Sequence, residues 1–494
     1  MWLNRRHELA ARVEPVLPVP RRAPMRIRPA ALAAASAVPQ FKSRAEIFKP
    51  AQPAPGVLPT GASIAMDDAL SNAVTWAAQG DYSTGVGFLG FSFLSELAQR
   101  PEYRRITEII AKEMTRKWVK LKSASNDDKT DRIKALTDAM DRFRLQDVFR
   151  RAAEHDGFFG RGHVYIDTGA TPDTLKTPLF LDPKVIGKGA LKGFRNVEAV
   201  WVYPNLYDSR HPLSEDYYRP VSWWVMGQEI HTSRLLRFVG REVPDLLKSA
   251  YSFGGLSLSQ MAMPYVENWI RTRQSVSDLL HSFTVWKLAT NMDAVLQGSD
   301  GGMSLTDRAA LFNDLRDNRG LMLTDKDSEE LSNISAPLSS LDHLQAQAQE
   351  QMASVSGIPL VKLLGITPTG LNASSDGEIR AFYDWVAAQQ EHLFRAHLKT
   401  CLEAIQLSEF GEIDPEITFE FEPLWQLDEA AQVAVEKTRA DTHAVYLDGG
   451  VVGPDEVRKA LAMDEASPYQ GLDLDSPAPG VQGMEDVPDI DAGS

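Results

Sequence analysis

The sequence predicts an α+β protein, and three observations carry that prediction. Helical periodicity flanks residues 160–245 on both sides, those residues switch to short β-branched and aromatic runs, and one apolar-striped helical run is long enough to be a rod.

In chain order, residues 1–60 combine Arg21, Arg22, Arg26 and Arg28 with Pro50, Pro53, Pro55 and Pro59, a composition that reads as a disordered arm. A basic start followed by the run from Ala30 to Val38 superficially resembles a targeting signal, but prolines interrupt that region and the apolar stretch is mostly alanine. Residues 66–78 read as a short helix followed by a Gly-rich loop. Two helices are predicted next. Glu102–Leu121 carries Ile106, Ile109, Ile110 and Met114 on one stripe, and Thr130–His155 carries Ile133, Leu136, Met140 and Phe143 at helical spacing. The strands His163–Asp167, Val197–Tyr203, Ser222–Met226 and Leu235–Val239 then predict an antiparallel sheet packed on those helices.

After Gly254-Gly255 the helical period returns over Ser257–Asn291, with Val266, Trp269, Val276, Leu280, Phe283 and Trp286 on its apolar face. At 1.5 Å per residue this is a rod of about 50 Å, about three times the mean helix length. Residues 292–337 form an acidic insert with nine acids and four bases, a helix over Leu305–Asp317 and a strand pair around Leu321–Leu323 and Leu331–Ile334. A helix over Ser339–Val355 leads to Gly357-Ile358-Pro359 and a stretch to Ser375 whose one charge is Lys362. Ser375-x-x-Glu378 is a capping box that opens a long helix over 376–407, with Ile379, Phe382, Val386, Leu393 and Cys401 on one face. A strand, Ile417–Leu424, helices at 428–446 and 454–462, and a disordered acidic tail from Asp464 complete the reading.

The 494 residues are 43% hydrophobic and 24% charged, ordinary for a chain with a sizeable core. As a prior, that length suggests about three domain-sized units. The net charge of −15 is unevenly placed. Residues 1–56 hold ten Lys/Arg and three acids, residues 464–494 hold eight acids and no base, and the middle carries −14. A duplex-binding surface of the usual kind clusters cations against phosphates, so this middle either avoids nucleic acid or lets it pass without sticking. No run reaches the roughly 20 apolar residues of a membrane span. The single cysteine, Cys401, excludes an intrachain disulfide framework and a cysteine-based zinc site, and a reducing compartment fits.

Catalytic motifs are weak. Gly85-Val86-Gly87-Phe88-Leu89-Gly90 has the dinucleotide-fingerprint spacing but lacks the strand–helix context that fingerprint needs, and reads as a loop. His231-Thr232-Ser233 matches the His-x-Ser/Thr element that two-histidine phosphodiesterases use twice, and no second copy follows any other histidine. Half of such a site cannot supply both proton transfers. His392 and His397, five apart on a helix, do not converge on a metal as an i, i+4 pair would. Cys401 sits on an apolar stripe and reads as core. Asp67-Asp68 and Asp127-Asp128 read as cap or turn residues, and no GxxxxGK[ST] phosphate loop is present.

The order helix pair, antiparallel sheet, rod, small insert, returning helix, Gly-Ile-Pro loop and long helix resembles the portal family of tailed phages. Local motifs carry the same resemblance: Phe88–Leu121, then Ile230–Phe238 leading to Gly254-Gly255-Leu256-Ser257, then Val355–Pro359 with Leu364-Gly365 and Asn372–Asp376. It covers about residues 66–460 and leaves the N-terminal arm outside. The resemblance implies a portal fold with a wing (61–255, joined by a long helix and strand over 376–427), stem helices (256–291 and 339–356), a small α/β clip (292–338), a tunnel loop (357–375) and a helical crown (428–463) before the tail (464–494).

It further implies a ring, usually of twelve, at one capsid vertex of the virion, assembled in the host cytoplasm and without enzymatic activity or a cofactor. Double-stranded DNA would pass through in packaging and ejection, near Lys362, Thr367, Thr369, Asn372, Ser374 and Ser375 of the tunnel loop. The clip residues Asp307, Arg308, Arg316, Arg319 and Lys326 would dock the terminase large subunit and then the head–tail adaptor, while major capsid and scaffold proteins would meet the wing. The alternatives are another phage structural protein, such as a minor head protein, and a two-histidine cyclic-nucleotide phosphodiesterase.

Overall fold

Helix α1 (Phe91–Leu97) and helix α2 (Pro101–Arg116) open the body of the computed structural model. It describes residues 51–60, 87–123, 129–281, 284–289, 330–335, 341–366, 375–425, 429–463, 469, 472 and 474. Pro101 sits in the first turn of α2, where its missing N–H has no intrahelical partner to lose. Tyr103, Ile106, Ile110 and Met114 form the buried stripe of α2. The helix expected to reach Leu121 stops at Arg116, and Val119–Ser123 is strand β1, whose Val-Lys-Leu-Lys alternation turns Leu121 inward.

The single helix expected over Thr130–His155 is two: α3 (Thr130–Arg142) and α4 (Leu145–Phe159). Arg144 between them is left-handed, at φ 52°. Strand β2 (Gly162–Asp167) is central in an antiparallel sheet between β3 (Gly193–Glu198) and β7 (Leu235–Phe238). The strand expected over Val197–Tyr203 is broken by a 3₁₀ turn at Ala199–Trp201, so β4 (Val202–Pro204) pairs elsewhere. With β5 (Ser222–Val225) and the unanticipated β6 (Gln228–His231) it makes a second three-stranded sheet.

Helix α5 (Leu258–His281) has 24 residues, a rod of about 36 Å. The expectation of helix to Asn291 is corrected: Thr284–Ala289 is strand β8, antiparallel to β9 (Glu330–Ser335). Its Thr-Val-Trp start suits a pleated strand, and a short apolar run satisfies both periods. The second expected insert strand lies in β9, but its partner is β8 and not Leu321–Leu323, which lies outside the described residues, as do the helices expected at 66–78 and Leu305–Asp317.

Helix α6 (Leu341–Ser356) returns along α5. The five-residue helix α7 (Leu360–Leu364) follows, then the 36-residue α8 (Ser375–Phe410) and strand β10 (Ile417–Phe421). β10 pairs antiparallel with β1, Val119 opposite Phe421. Helices α9 (Glu429–Asp448) and α10 (Pro454–Met463) end the described elements.

The core lies between α2, α4, α8 and the β3-β2-β7 sheet. Phe149 is its hub, with ring centroids 5.3 Å from Phe238, 5.2 Å from Phe394 and 5.6 Å from Trp118. A smaller cluster of Val202, Tyr218, Trp223, Ile230, Leu235 and Phe253 backs the second sheet. The arm expected to be disordered to residue 60 is instead seated from Ala51. Ala51 and Val57 are buried, Ala51 N–H donates to the Ser249 carbonyl at 3.3 Å, and Gly227 N–H donates to the Val57 carbonyl at 2.8 Å.

Candidate functional site

Two polar constructions hold the parts that the sequence reading singled out. The first fixes the start of the α5 rod to the sheet. Helix α4 ends at Gly160, left-handed at φ 77°, a conformation that glycine adopts without a Cβ penalty. The Gly160 carbonyl accepts the Gly255 amide at 2.7 Å, and Leu256 N–H donates to the Arg241 carbonyl at 2.8 Å. Arg241 returns its Nε to the Leu256 carbonyl at 2.9 Å and its Nη2 to Asp156 Oδ2 at 2.8 Å. Buried Asp156 also accepts the Gly240 amide at 3.0 Å.

Beside this knot lies Arg161, with no exposed surface. Its Nη2 donates to the carbonyls of Ala199 (2.9 Å) and Val202 (2.8 Å), and its Nη1 donates to the Ser252 carbonyl. The guanidinium carbon lies 5.1 Å from the Trp223 ring and 5.6 Å from the Phe91 ring. Burial pulls its pKa down to about 9, helped by the neighbouring Arg237 charge. One cation thus satisfies backbone carbonyls at the broken strand 199–202 and the turn before α5. His163, two residues on, packs edge-on against Trp223 with ring centroids 5.3 Å apart, and neither ring nitrogen has a protein partner. Burial, then the Arg161 and Arg237 charges, hold it neutral, well below the ordinary histidine range.

The second construction pins α7. Gly357 (φ 69°) and Gly365 (φ 74°) bracket this helix, and Ile358, Leu360 and Leu363 are buried beneath it. Lys362 pairs with Glu113 of α2 and lies over the rings of Tyr383 (4.7 Å) and Phe382 (5.7 Å) on α8. Glu113 also accepts from Arg116 Nε at 2.8 Å. Burial pushes the Glu113 carboxyl up, but the two cations outweigh it and leave the pKa below the usual carboxylate range. Arg116 in turn lies over Tyr383, and Arg380 lies over Trp425.

Of the residues proposed from sequence to face DNA, Lys362 is therefore engaged with the body. Residues 357–366 form a packed connector, and Ile366 is its exposed end. Thr367, Thr369, Asn372 and Ser374 lie outside the described residues, as do the clip candidates Asp307, Arg308, Arg316, Arg319 and Lys326. Ser375 begins α8, and its side chain is not among those described.

The weak catalytic motifs fall into local structure. His231 ends β6, and its Nδ1 accepts the Ser233 amide at 3.2 Å and lies 2.9 Å from Ser233 Oγ, which accepts the Leu179 amide at 2.7 Å. Burial, then the Arg234 charge, lowers its pKa. His397 Nε2 lies 2.9 Å from the Arg237 carbonyl oxygen. Cys401 is buried, which pushes its thiol pKa up. The described part of the glycine-rich segment, Gly87–Gly90, runs into α1. Among the described residues, no group of His, Cys, Asp or Glu is placed to hold a metal ion. Sequence reasoning missed Glu113, Asp156, Arg161 and Arg241. Only Glu113 had a readable signal, its i, i+3 spacing to Arg116 on a helix.

A family model described as "Phage portal protein" matches residues 91–445, and the chain belongs to that family. Two curated relatives are both named Anti-CBASS protein Acb1. The one from Caulobacter sp. (strain RHG1) is 27% identical over 71% of this chain and 57% of its own length; the one from Sphingomonas paeninsulae is 27% identical over 50% of this chain and 41% of its own length. The chain thus spans about half the length of the curated relatives it matches. Among solved structures, an HK97 family phage portal protein from Corynebacterium diphtheriae aligns over 67% of this chain and 94% of its own, with TM-score 0.37 and 11% identity. The neck of a native gene transfer agent particle aligns over 76% of this chain and 93% of its own, with TM-score 0.45 and 14% identity.

Proposed function

We propose that the chain is one subunit of a portal ring, the conduit through which double-stranded DNA enters and leaves a phage head. The observation that carries the reading is the family match over 91–445, which spans the sheet, the paired helices α5 and α6, α7 and the whole of α8. The knot at Gly160, Arg241 and Gly255 supports it physically, because a subunit that presents a rod toward a channel needs the base of that rod rigidly set. In this reading the body is the wing, α5 and α6 are the stem, the insert with β8 and β9 is the clip, and α9 and α10 are the crown. The −14 middle lets duplex slide, since phosphate finds little to neutralise it. Terminase and the head–tail adaptor would dock at the clip, capsid and scaffold at the wing, and ATP hydrolysis would belong to the motor.

Negative-stain imaging and mass measurement of purified protein test the ring, for which about twelve subunits and an axial hole are expected. Monomers or two-fold dimers under all conditions, scaffold included, overturn it. In reconstituted procapsids, Thr367→Asp or Asn372→Asp should lower packaged DNA without loss of ring assembly. Normal packaging by both removes that loop from the DNA path.

The His-x-Ser/Thr element at His231 motivates a second reading, in which the chain acts on a cyclic nucleotide there. The single His-x-Thr/Ser copy, folded into its own turn, weighs against it.

A further inference from the structure

The outer face of the second sheet holds a carboxylate that is braced but has no counter-charge. Trp224 of β5 stands directly opposite Glu229 of β6, and Ser222 stands opposite His231, so all four share one face. Neighbours along a strand point to opposite sides, so this face turns away from the cluster of Trp223, Ile230 and Phe253. Asn205, just after β4, donates its Nδ2 to Glu229 Oε1 at 2.9 Å, and Ser222 Oγ donates to the same oxygen at 2.7 Å. Ser222 is buried, and Asn205, Trp224 and Glu229 are half-buried. Asp156, Glu113 and Asp414 each hold a basic partner, Arg241, Lys362 and Lys129. Among the described residues Glu229 has none, and its Oε2 accepts no hydrogen bond.

A fixed carboxylate with one oxygen unused, set beside an indole, suits a guanidinium. Its N–H groups meet the oxygen while its plane lies on the ring, a combination that a lysine's point charge matches less well. We propose that this site takes an arginine of the chain's own N-terminal arm. Residues 1–50 hold eight arginines and two lysines, beside a middle that carries −14. The arm is also delivered to this sheet. Val57 is buried, and its carbonyl accepts the amide of Gly227, which lies in the β5–β6 turn two positions before Glu229. The path from Ala51 along that seat to Glu229 is at most about 35 Å of chain. Arg28 lies 23 positions before Ala51, about 75 Å when extended. Every arginine from Arg5 to Arg28 therefore has the reach, and a tether of this kind raises the local concentration enough for one contact to fill. The contact goes beyond the portal reading and does not depend on it.

The test uses full-length protein under brief native trypsin digestion, with cleavage after each arm arginine followed by mass spectrometry and circular dichroism as a folding control. Glu229→Gln keeps an oxygen for Asn205 and Ser222 but removes the charge. At least one bond between Arg5 and Ile27 should then be cut about fivefold faster or more. Trp224→Leu leaves the carboxylate and its brace in place and should accelerate the same bond by a smaller factor. Protection in the wild type should be unchanged by dilution. Equal rates at every arm bond in the wild type and both variants overturn the contact. So does acceleration that extends to bonds of the folded body, which reports unfolding instead of arm release. Protection that vanishes on dilution assigns the arginine to a second copy and overturns docking by the chain's own arm.

Discussion

The Gly255 amide meets the Gly160 carbonyl at 2.7 Å, and neither residue has room for a side chain. A Cβ on Gly160 would lie 2.1 Å from the Gly255 oxygen, and a Cβ on Gly255 would lie 2.1 Å from the Arg241 oxygen. Gly160→Ala adds left-handed strain to this overlap, for a loss of about 3 kcal/mol. Urea unfolding should show a lower midpoint with an unchanged slope. Gly255→Ala should fall in the same direction, since the obstacle is again backbone.

Arg161→Lys keeps the charge but loses the planar fork. A lysine cannot span the carbonyls of Ala199, Val202 and Ser252, and stranded buried acceptors cost about 1–3 kcal/mol each. Thermal melting should reveal a loss above about 3 kcal/mol. A variant within experimental error of wild type would mean that these acceptors find other donors.

Lys362→Glu sets two carboxylates together at Glu113, and it should loosen α7 before it affects DNA. A loss of about 1–3 kcal/mol is expected, largely recovered in the swap Glu113→Lys/Lys362→Glu. Proton linkage has a definite sign here. Because the Glu113 pKa is lowered in the folded protein, its contribution is present above the unfolded carboxyl pKa of about 4.3 and is lost as pH falls below it. Glu113→Gln should flatten that part of the melting-temperature profile.

Buried histidines act in a higher pH window. His155, drawn down to about 4 by burial, stays neutral in the folded state while its unfolded counterpart protonates below about pH 6.5. Stability should therefore fall as pH drops below about 6.5, by about 2 kcal/mol at pH 5 from this group. His163 acts in the same direction. His163→Phe preserves the ring contact with Trp223, so its stability relative to wild type should improve between pH 7 and pH 5.

His231→Ala should leave packaging intact, losing only the cap on the turn at Ser233. Purified wild type, incubated with cyclic oligonucleotides, should return them uncleaved by chromatography. Cleavage that disappears in His231→Ala would replace the structural role with a catalytic one.

Where periodicity was long and unbroken, the sequence reading and the structure agree: α8 begins and ends within three residues of the expected limits, and α9 and α10 within two. Agreement failed where a short apolar run fitted two periods. Val119-Lys120-Leu121-Lys122 alternates as a strand does, yet it follows a helix without a Gly or Pro and reads as that helix's last turn. The break at Phe143-Arg144 has no sequence marker either, because a left-handed arginine is a tertiary outcome. The polar constructions were least legible. Asp156 and Arg241 are 85 positions apart, and no local pattern tells a fully buried arginine such as Arg161 from a surface one.

The pairing of β1 with β10 bears on how the chain is made. Val119 finds Phe421 about 300 residues later. At ribosomal speeds of about 5–20 residues per second, the first strand waits roughly 15–60 s for its partner. Throughout that interval its hydrogen-bonding edge is bare, a template for pairing with any nascent neighbour. Slower growth temperatures lengthen the wait, so yield of soluble subunit should depend on chaperone supply more than on the final stability of the fold.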